Sequence, residues 1–273
     1  MSAARILQPD REIVLPSTAE ILAINRRPGA SHNRGRVAAR GPSAAAPAGT
    51  TPPTIVTSVP CQAWWRGDLG ITIGTGVSAW ADQSGNGRDL VQATGGAQPV
   101  YNASDFVFGA QSTLTFDGVN DILIGAFGLP AAGTTPAFIW YVMSQQSWVN
   151  GRNLSAGATP ASHHLFQNTP SPNVSQYNGV ITNNTLWSLN SVARIENYFS
   201  NSAADYLKIV GTTTNSGVSA GNTAPCTQFC LGGTGASFGA VTIAECAIWY
   251  ALPTPAERTA LDAYVLSRYG TGV

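Results

Sequence analysis

The fold is decided by WADQSGNGRDLVQ (residues 80–92) and, after a loop, STLTFDGVNDILI (residues 112–124). Trp80 closes a short apolar run. Residues 82–87 then bring Asp, Ser, Asn and two Gly, types that tolerate positive φ or bond back to their own backbone. In the second stretch Leu114 and Phe116 alternate with Thr113 and Thr115, the period-2 pattern of a half-buried strand. Asp117-Gly118-Val119-Asn120 predicts a hairpin turn into a strand over 122–124. Two strand-to-turn units of this kind fit an antiparallel β-sandwich.

Outward from these stretches, further strands are expected at 61–65, 71–73 and 77–81. The continuous apolar run FIWYVM (138–143) reads as a central strand buried on both faces. Others are expected at 165–167, 174–177, 186–192, 196–200, 206–210 and 228–232. The last covers 241–250, with Ile243, Glu245, Ala247 and Trp249 on one face. A helix over 254–269 follows. Thr254-Pro255-Ala256-Glu257 is a capping box with proline at the first helical position. Leu261, Tyr264, Val265 and Tyr269 share one face, Arg258 and Asp262 pair on the exposed side, and Gly270 supplies the stop.

Ahead of the sandwich, residues 1–54 read as an extended arm ending in a Pro/Ala-rich linker that cannot form a core. The domain boundaries are therefore 1–54 for the arm and 55–273 for the sandwich with its closing helix. Charge divides at the same place. Residues 1–60 hold seven arginines against Asp10, Glu12 and Glu20, a balance of +4, and the remainder balances at −4. A basic arm on an acidic body implies that the arm seeks another surface. Residues 1–16 lack the apolar core of a signal peptide, and no stretch approaches the ~20 apolar residues of a membrane span. The expectation is a protein made in the cytoplasm and not secreted, with no membrane partner. Its four cysteines are read as free.

The order W-x-D-Q-S-G-N-G (80–87), then L-x-F-D-G-x-x-D (114–121), then a late strand and one C-terminal helix resembles the concanavalin A-like (laminin G-like) jelly-roll superfamily. The likeness spans about residues 61–270 and is nearest to versions in phage structural proteins and bacterial surface proteins. It implies an all-β, concanavalin A-like jelly-roll sandwich with an extended N-terminal arm and one C-terminal α-helix. Such a fold constrains function weakly, because sites and not folds carry activity.

Glycoside hydrolysis uses two carboxyl groups about 5–5.5 Å or 6.5–9.5 Å apart. No strand carries an alternating carboxylate run, and Glu196 and Glu245 stand alone. GASFG (235–239) matches the nucleophile-elbow pattern, but a strand follows it and no histidine lies beyond His164. Cys226 and Cys230 offer one close thiolate pair where a zinc site would use two. Asp82, Asp117 and Asp121 occupy turns, where Asp commonly satisfies its own backbone. The chain is therefore expected to be no enzyme, and no metal or cofactor is assigned.

Two partner classes remain. Arg26, Arg27, Arg34, Arg36 and Arg40 would suit an acidic protein surface. They would equally suit phosphate, but no aromatic or lysine is interleaved, which argues against nucleic acid. By resemblance to phage members, the expected role is a capsid decoration (cement) protein. Its arm would grip the major capsid protein or other virion subunits in a homo-oligomeric assembly. The alternative is a tail- or fibre-associated lectin-like module that binds a host glycan. Trp64, Trp65, Trp148 and Trp187 would then be the sugar-stacking faces.

Overall fold

A computed structural model describes residues 56, 58–131, 135–158, 163–169, 171–177, 181–200, 204–210, 215–216 and 225–270. The arm expected over 1–54, with Arg26, Arg27, Arg34, Arg36 and Arg40, lies outside the described residues.

In chain order the strands are β1 Cys61–Arg66, β2 Ile71–Ile73, β3 Val77–Trp80, β4 Leu90–Val91, β5 Val100–Asp105, β6 Gln111–Asp117 and β7 Leu123–Gly125. They continue as β8 Ala137–Gln145, β9 Asn153–Ala158, β10 His163–Asn168, β11 Asn173–Tyr177, β12 Ile181–Leu186 and β13 Val192–Phe199. The last are β14 Tyr206–Ile209, β15 Asn215–Ser216, β16 Gln228–Leu231, β17 Gly233–Thr234, β18 Ser237–Phe238 and β19 Ala240–Trp249, followed by the helix α1, Pro255–Tyr269.

An eight-stranded sheet runs β15-β14-β13-β8-β19-β6-β5, with β1 also pairing β19, and a nine-stranded sheet runs β12-β11-β10-β9-β16-β7-β4-β3-β2. The pairings are antiparallel throughout the described ladders, β8 lying between β13 and β19. One core fills the space between the sheets. Trp65, Ile139, Tyr141, Met143 and Ile243 come from the eight-stranded sheet, and Trp80, Leu90, Leu165 and Phe229 from the other. The all-β sandwich expected from the alternation at 112–124 is present.

A second core lies on the outer face of the eight-stranded sheet, where α1 docks. Leu261, Val265 and Tyr269 pack onto Trp64, Phe138, Trp140, Val142, Ala247 and Trp249. This explains why FIWYVM is apolar at every position: its alternate residues serve different cores. The helix begins as its sequence predicts. Thr254 Oγ1 accepts the Glu257 N–H, and the Glu257 carboxylate accepts the Thr254 N–H. Gly270, at φ 63°, ends it.

The stretch 80–92 is organised by one carboxylate. Asp82 Oδ1 accepts N–H groups of Trp64 and Ser84 at 2.9 and 2.8 Å. Its Oδ2 accepts the Ser84 hydroxyl at 2.7 Å and the Arg88 N–H at 3.0 Å. The turn is thereby tied to β1.

Four expectations are corrected. Residues 117–120 do not close a hairpin, because β6 belongs to the eight-stranded sheet and β7 to the nine-stranded one. Asp117 Oδ1 accepts the N–H groups of Val119, Asn120 and Asp121, and this tight turn sends the chain across the sandwich. Ile243 does not share a face with Glu245, because the register of β19 against β8 shifts between them. Ile243 points into the inter-sheet core, whereas Ala244, Ala247 and Trp249 lie under the helix. Of the strand expected at 186–192, only the end residues Leu186 and Val192 lie in strands, and 187–191 form the connection between β12 and β13. Arg258 and Asp262 do not pair on the exposed side of α1; they reach the sheet, Arg258 toward Glu196 and Asp262 to Arg194.

Candidate functional site

The outer face of the eight-stranded sheet has two halves. α1 covers the apolar half, and the other half is a groove of about 530 Å³. Its floor comes from neighbouring strands whose registers place Asn102 of β5 beside Thr113 of β6, and Thr115 beside Thr242 of β19, next to Ser144 of β8. Small hydroxyl side chains at these crossings leave room where the other half holds Trp140 and Trp249.

The floor is one connected hydrogen-bonded row. The Thr113 hydroxyl donates to Asp105 Oδ2 at 3.0 Å. The Asn102 amide donates to the hydroxyl oxygens of Thr113 at 3.1 Å and Thr115 at 2.9 Å. Thr115 and Thr242 share a hydroxyl hydrogen bond of 2.8 Å. Further along, Gln146 Nε2 donates to the Ser144 hydroxyl at 3.0 Å. Asn190 completes the far rim.

One wall is the 3-10 turn Phe106–Phe108. Asp105 caps it by accepting the Val107 N–H at 3.0 Å. Phe108 is buried in the helix-side core, so the turn is pinned and cannot also bury Phe106. Phe106 is accordingly 90% exposed and Val107 51% exposed at the groove's edge. Gly109, at φ 64°, follows. A Cβ there would sit 2.5 Å from the Tyr269 carbonyl oxygen, so the turn abuts the end of α1. An exposed aromatic ring beside a row of hydrogen-bonding groups can stack one face of a small polar ligand and bond its edge.

The two carboxylates singled out in the sequence serve another purpose. Glu245, fully buried, accepts hydrogen bonds from Trp64 Nε1 at 2.6 Å, the Tyr264 hydroxyl and the Tyr269 hydroxyl at 2.6 Å. Burial pushes its carboxyl pKa upward. Glu196, also fully buried, pairs with Arg194 at 3.0 Å and accepts from the Tyr206 hydroxyl. Arg194 also meets Asp262. Both carboxylates therefore fasten α1 to the sheet.

The tryptophans expected to stack sugars are corrected in the same way. Trp64 and Trp65 are wholly buried and Trp187 is 3% exposed, so none offers a face to a ligand. Trp148 is half-buried, with its indole N–H on the Asn168 carbonyl at 3.1 Å. Trp64 binds Glu245, and Trp65 stacks on Phe127 and Phe229. The structure does not bring these four together. The three buried cysteines and half-buried Cys61 are free, and burial pushes the Cys61 and Cys230 thiols up to about 12.

The groove itself was not anticipated from the sequence. Asp105-Phe-Val-Phe108-Gly109 carries its signal: an N-cap residue, two aromatics that a single turn cannot bury together, and a glycine stop.

No known protein-family profile matches the chain, and no curated protein does. Among solved structures the chain is similar to a sialidase from Trypanosoma rangeli. The sialidase complex with 2,3-difluoro-KDN aligns with a TM-score of 0.55 at 13% identity, covering 81% of this chain and 36% of the sialidase. The complex with sialic acid aligns at 0.53 and 13% identity, covering 76% and 33%. A GH54 α-L-arabinofuranosidase mutant soaked with 4-nitrophenyl α-L-arabinofuranoside gives 0.49 at 12% identity, covering 71% and 51%. The chain thus spans about a third of the sialidase's length. At such identity the likeness shows the fold alone. It nonetheless overturns the expectation that the chain is no enzyme. The sandwich recurs within a sialidase, so its fold does not argue against catalysis.

Proposed function

We propose that this chain is a carbohydrate-binding module, a concanavalin A-like jelly roll carried at a phage tail or fibre, with its ligand in the groove beside Phe106. The observation that carries the reading is the groove's composition. A 90%-exposed aromatic ring stands at the end of the row Asp105–Thr113–Asn102–Thr115–Thr242, which is already ordered by its own hydrogen bonds. A sugar needs both parts, an aromatic plane for its C–H face and preorganised polar atoms for its hydroxyls, and preorganisation lowers the ordering cost of binding.

The jelly-roll assignment is supported by the motifs at 80–87 and 114–121 together with the two antiparallel sheets and closing helix. The reading as a capsid decoration protein rests on the arm over 1–54, whereas the groove belongs to the sandwich and favours the glycan alternative. Of the described residues lining the groove, Asp105 is the one carboxylate, and it stands among hydroxyl and amide groups suited to holding a ligand.

The test is a glycan array probed with the whole chain and with Phe106→Ala. An exposed side chain can be truncated with a change in stability within about 0.5 kcal/mol. Binding by the parent and its loss in the variant, with circular dichroism unchanged, is the expected result. Equal binding by both proteins, or none by the parent at high concentration, refutes the reading.

A further inference from the structure

We infer that the groove selects neutral glycans and rejects sugars that carry a carboxylate or sulfate. This deepens the proposed glycan-binding reading and rests on it. Among the described residues lining the groove, Asp105 is the only ionisable side chain, and none is Arg, Lys or His. An acidic sugar would therefore meet a carboxylate with no cation to offset it, an arrangement that disfavours the wrong partner.

The arginines of the same sheet face and its helix are already committed. Arg66 and Arg268 both hold Asp68, at 2.6 and 2.8 Å. Arg194 holds Glu196 at 3.0 Å and also meets Asp262. Arg258 donates to the Tyr206 hydroxyl at 2.9 Å and lies over that ring. Asp68 and Glu196 are each held by two of these arginines and Asp262 by Arg194, so turning one toward the groove would break an ion pair already made.

What the groove does offer matches hydroxyl groups. Asn102 uses its amide hydrogens on Thr113 and Thr115, and its carbonyl oxygen has no partner among the described residues. Gln146 likewise donates to Ser144 and keeps its carbonyl oxygen. The Asp105 oxygens each accept one protein hydrogen bond, from Val107 N–H and Thr113 O–H, and each retains accepting capacity. These are acceptors in surplus, suited to the O–H donors of an uncharged sugar. A carboxylate or sulfate brings only further acceptors.

The experiment compares matched probes on the whole chain by calorimetry or NMR titration: lactose against 3′-sialyllactose, and maltotriose against trigalacturonate. An array of hexoses, 6-deoxyhexoses and N-acetylhexosamines with their acidic forms accompanies it. The neutral member of a binding pair should bind at least tenfold more tightly. Asp105→Asn, which keeps an oxygen acceptor and remains a good N-cap, should narrow that gap. Acidic members that bind as well as or better than neutral ones, with the binding lost in Phe106→Ala, overturn this inference and leave the glycan reading standing. Binding to nothing on the array overturns both.

Discussion

Replacing Gly109 by alanine tests how the groove's wall is held. Gly109 sits at φ 64° just after the turn Phe106–Phe108, and a Cβ there would lie 2.5 Å from the Tyr269 carbonyl oxygen and 2.8 Å from its carbon. Two costs add. A left-handed backbone costs an L-residue about 1–2 kcal/mol. Forcing two packed backbones apart costs about 1–3 kcal/mol. Gly109→Ala should therefore destabilise by about 2–5 kcal/mol, read as a fall in the urea midpoint with the slope unchanged. Ala110 supplies the opposite sign. It holds φ 62° with a Cβ already present, so Ala110→Gly relieves strain while adding unfolded-state entropy. The net should lie between no change and about 1 kcal/mol of stabilisation. Because the wall carries Phe106, the folded fraction of Gly109→Ala should also bind glycan more weakly, whereas Ala110→Gly should not. If Gly109→Ala costs less than about 0.5 kcal/mol, the turn does not abut the helix and the argument for a pinned Phe106 fails.

Two further outcomes follow from buried carboxylates. Glu245→Ala leaves the Trp64 N–H and the Tyr264 and Tyr269 hydroxyls without their acceptor. At about 1–3 kcal/mol for each orphaned group, denaturation should show a loss of at least about 3 kcal/mol. Glu245→Gln, which keeps one acceptor, should lose less, and a loss below about 1 kcal/mol for alanine would contradict the fastening role. Asp121 is a pH prediction. Burial raises its carboxyl pKa to about 6, although it accepts the Asp117 N–H at 3.0 Å. A raised carboxyl pKa contributes stability that is full below the ordinary value near 3.8 and is lost as pH rises through about 6. Between pH 4 and pH 7.5 the parent should lose this increment, and Asp121→Asn should have a flatter profile; identical profiles would refute the assignment.

The sandwich was legible where one residue type had one task. Thr113 to Phe116 alternates because one face meets the inter-sheet core and the other the groove floor. FIWYVM is apolar throughout because it meets two cores. The capping box at Thr254 is a local hydrogen-bond pattern and needs no tertiary partner. Legibility failed where partners came from afar. Asp117 to Asn120 reads as a hairpin because the turn chemistry is right, and only the destination of Leu123 in the other sheet shows otherwise. Glu196 and Glu245 looked isolated because their partners are spread over β1, β13, β14 and α1. The tryptophans misled because burial is not written in residue type: an aromatic can serve core or ligand, and here Trp64 and Trp65 serve the core while Phe106 is left outside.

The irregularity in β19 explains why one sheet face can do both jobs. Before the register shift, Thr242 lies in the polar row with Thr115; after it, Ala247 and Trp249 lie under the helix. β8 changes at the same level, from Phe138, Trp140 and Val142 beneath α1 to Ser144 in the groove. Gly270 stops α1 at Tyr269, whose carbonyl oxygen lies beside the Gly109 turn at the groove's wall. The boundary between covered and open sheet is thus set by a bulge, a helix stop and the turn that Gly109 lets come close. The groove is what remains of a sheet face whose apolar part the helix has claimed, which is why its floor is made of hydroxyls and amides.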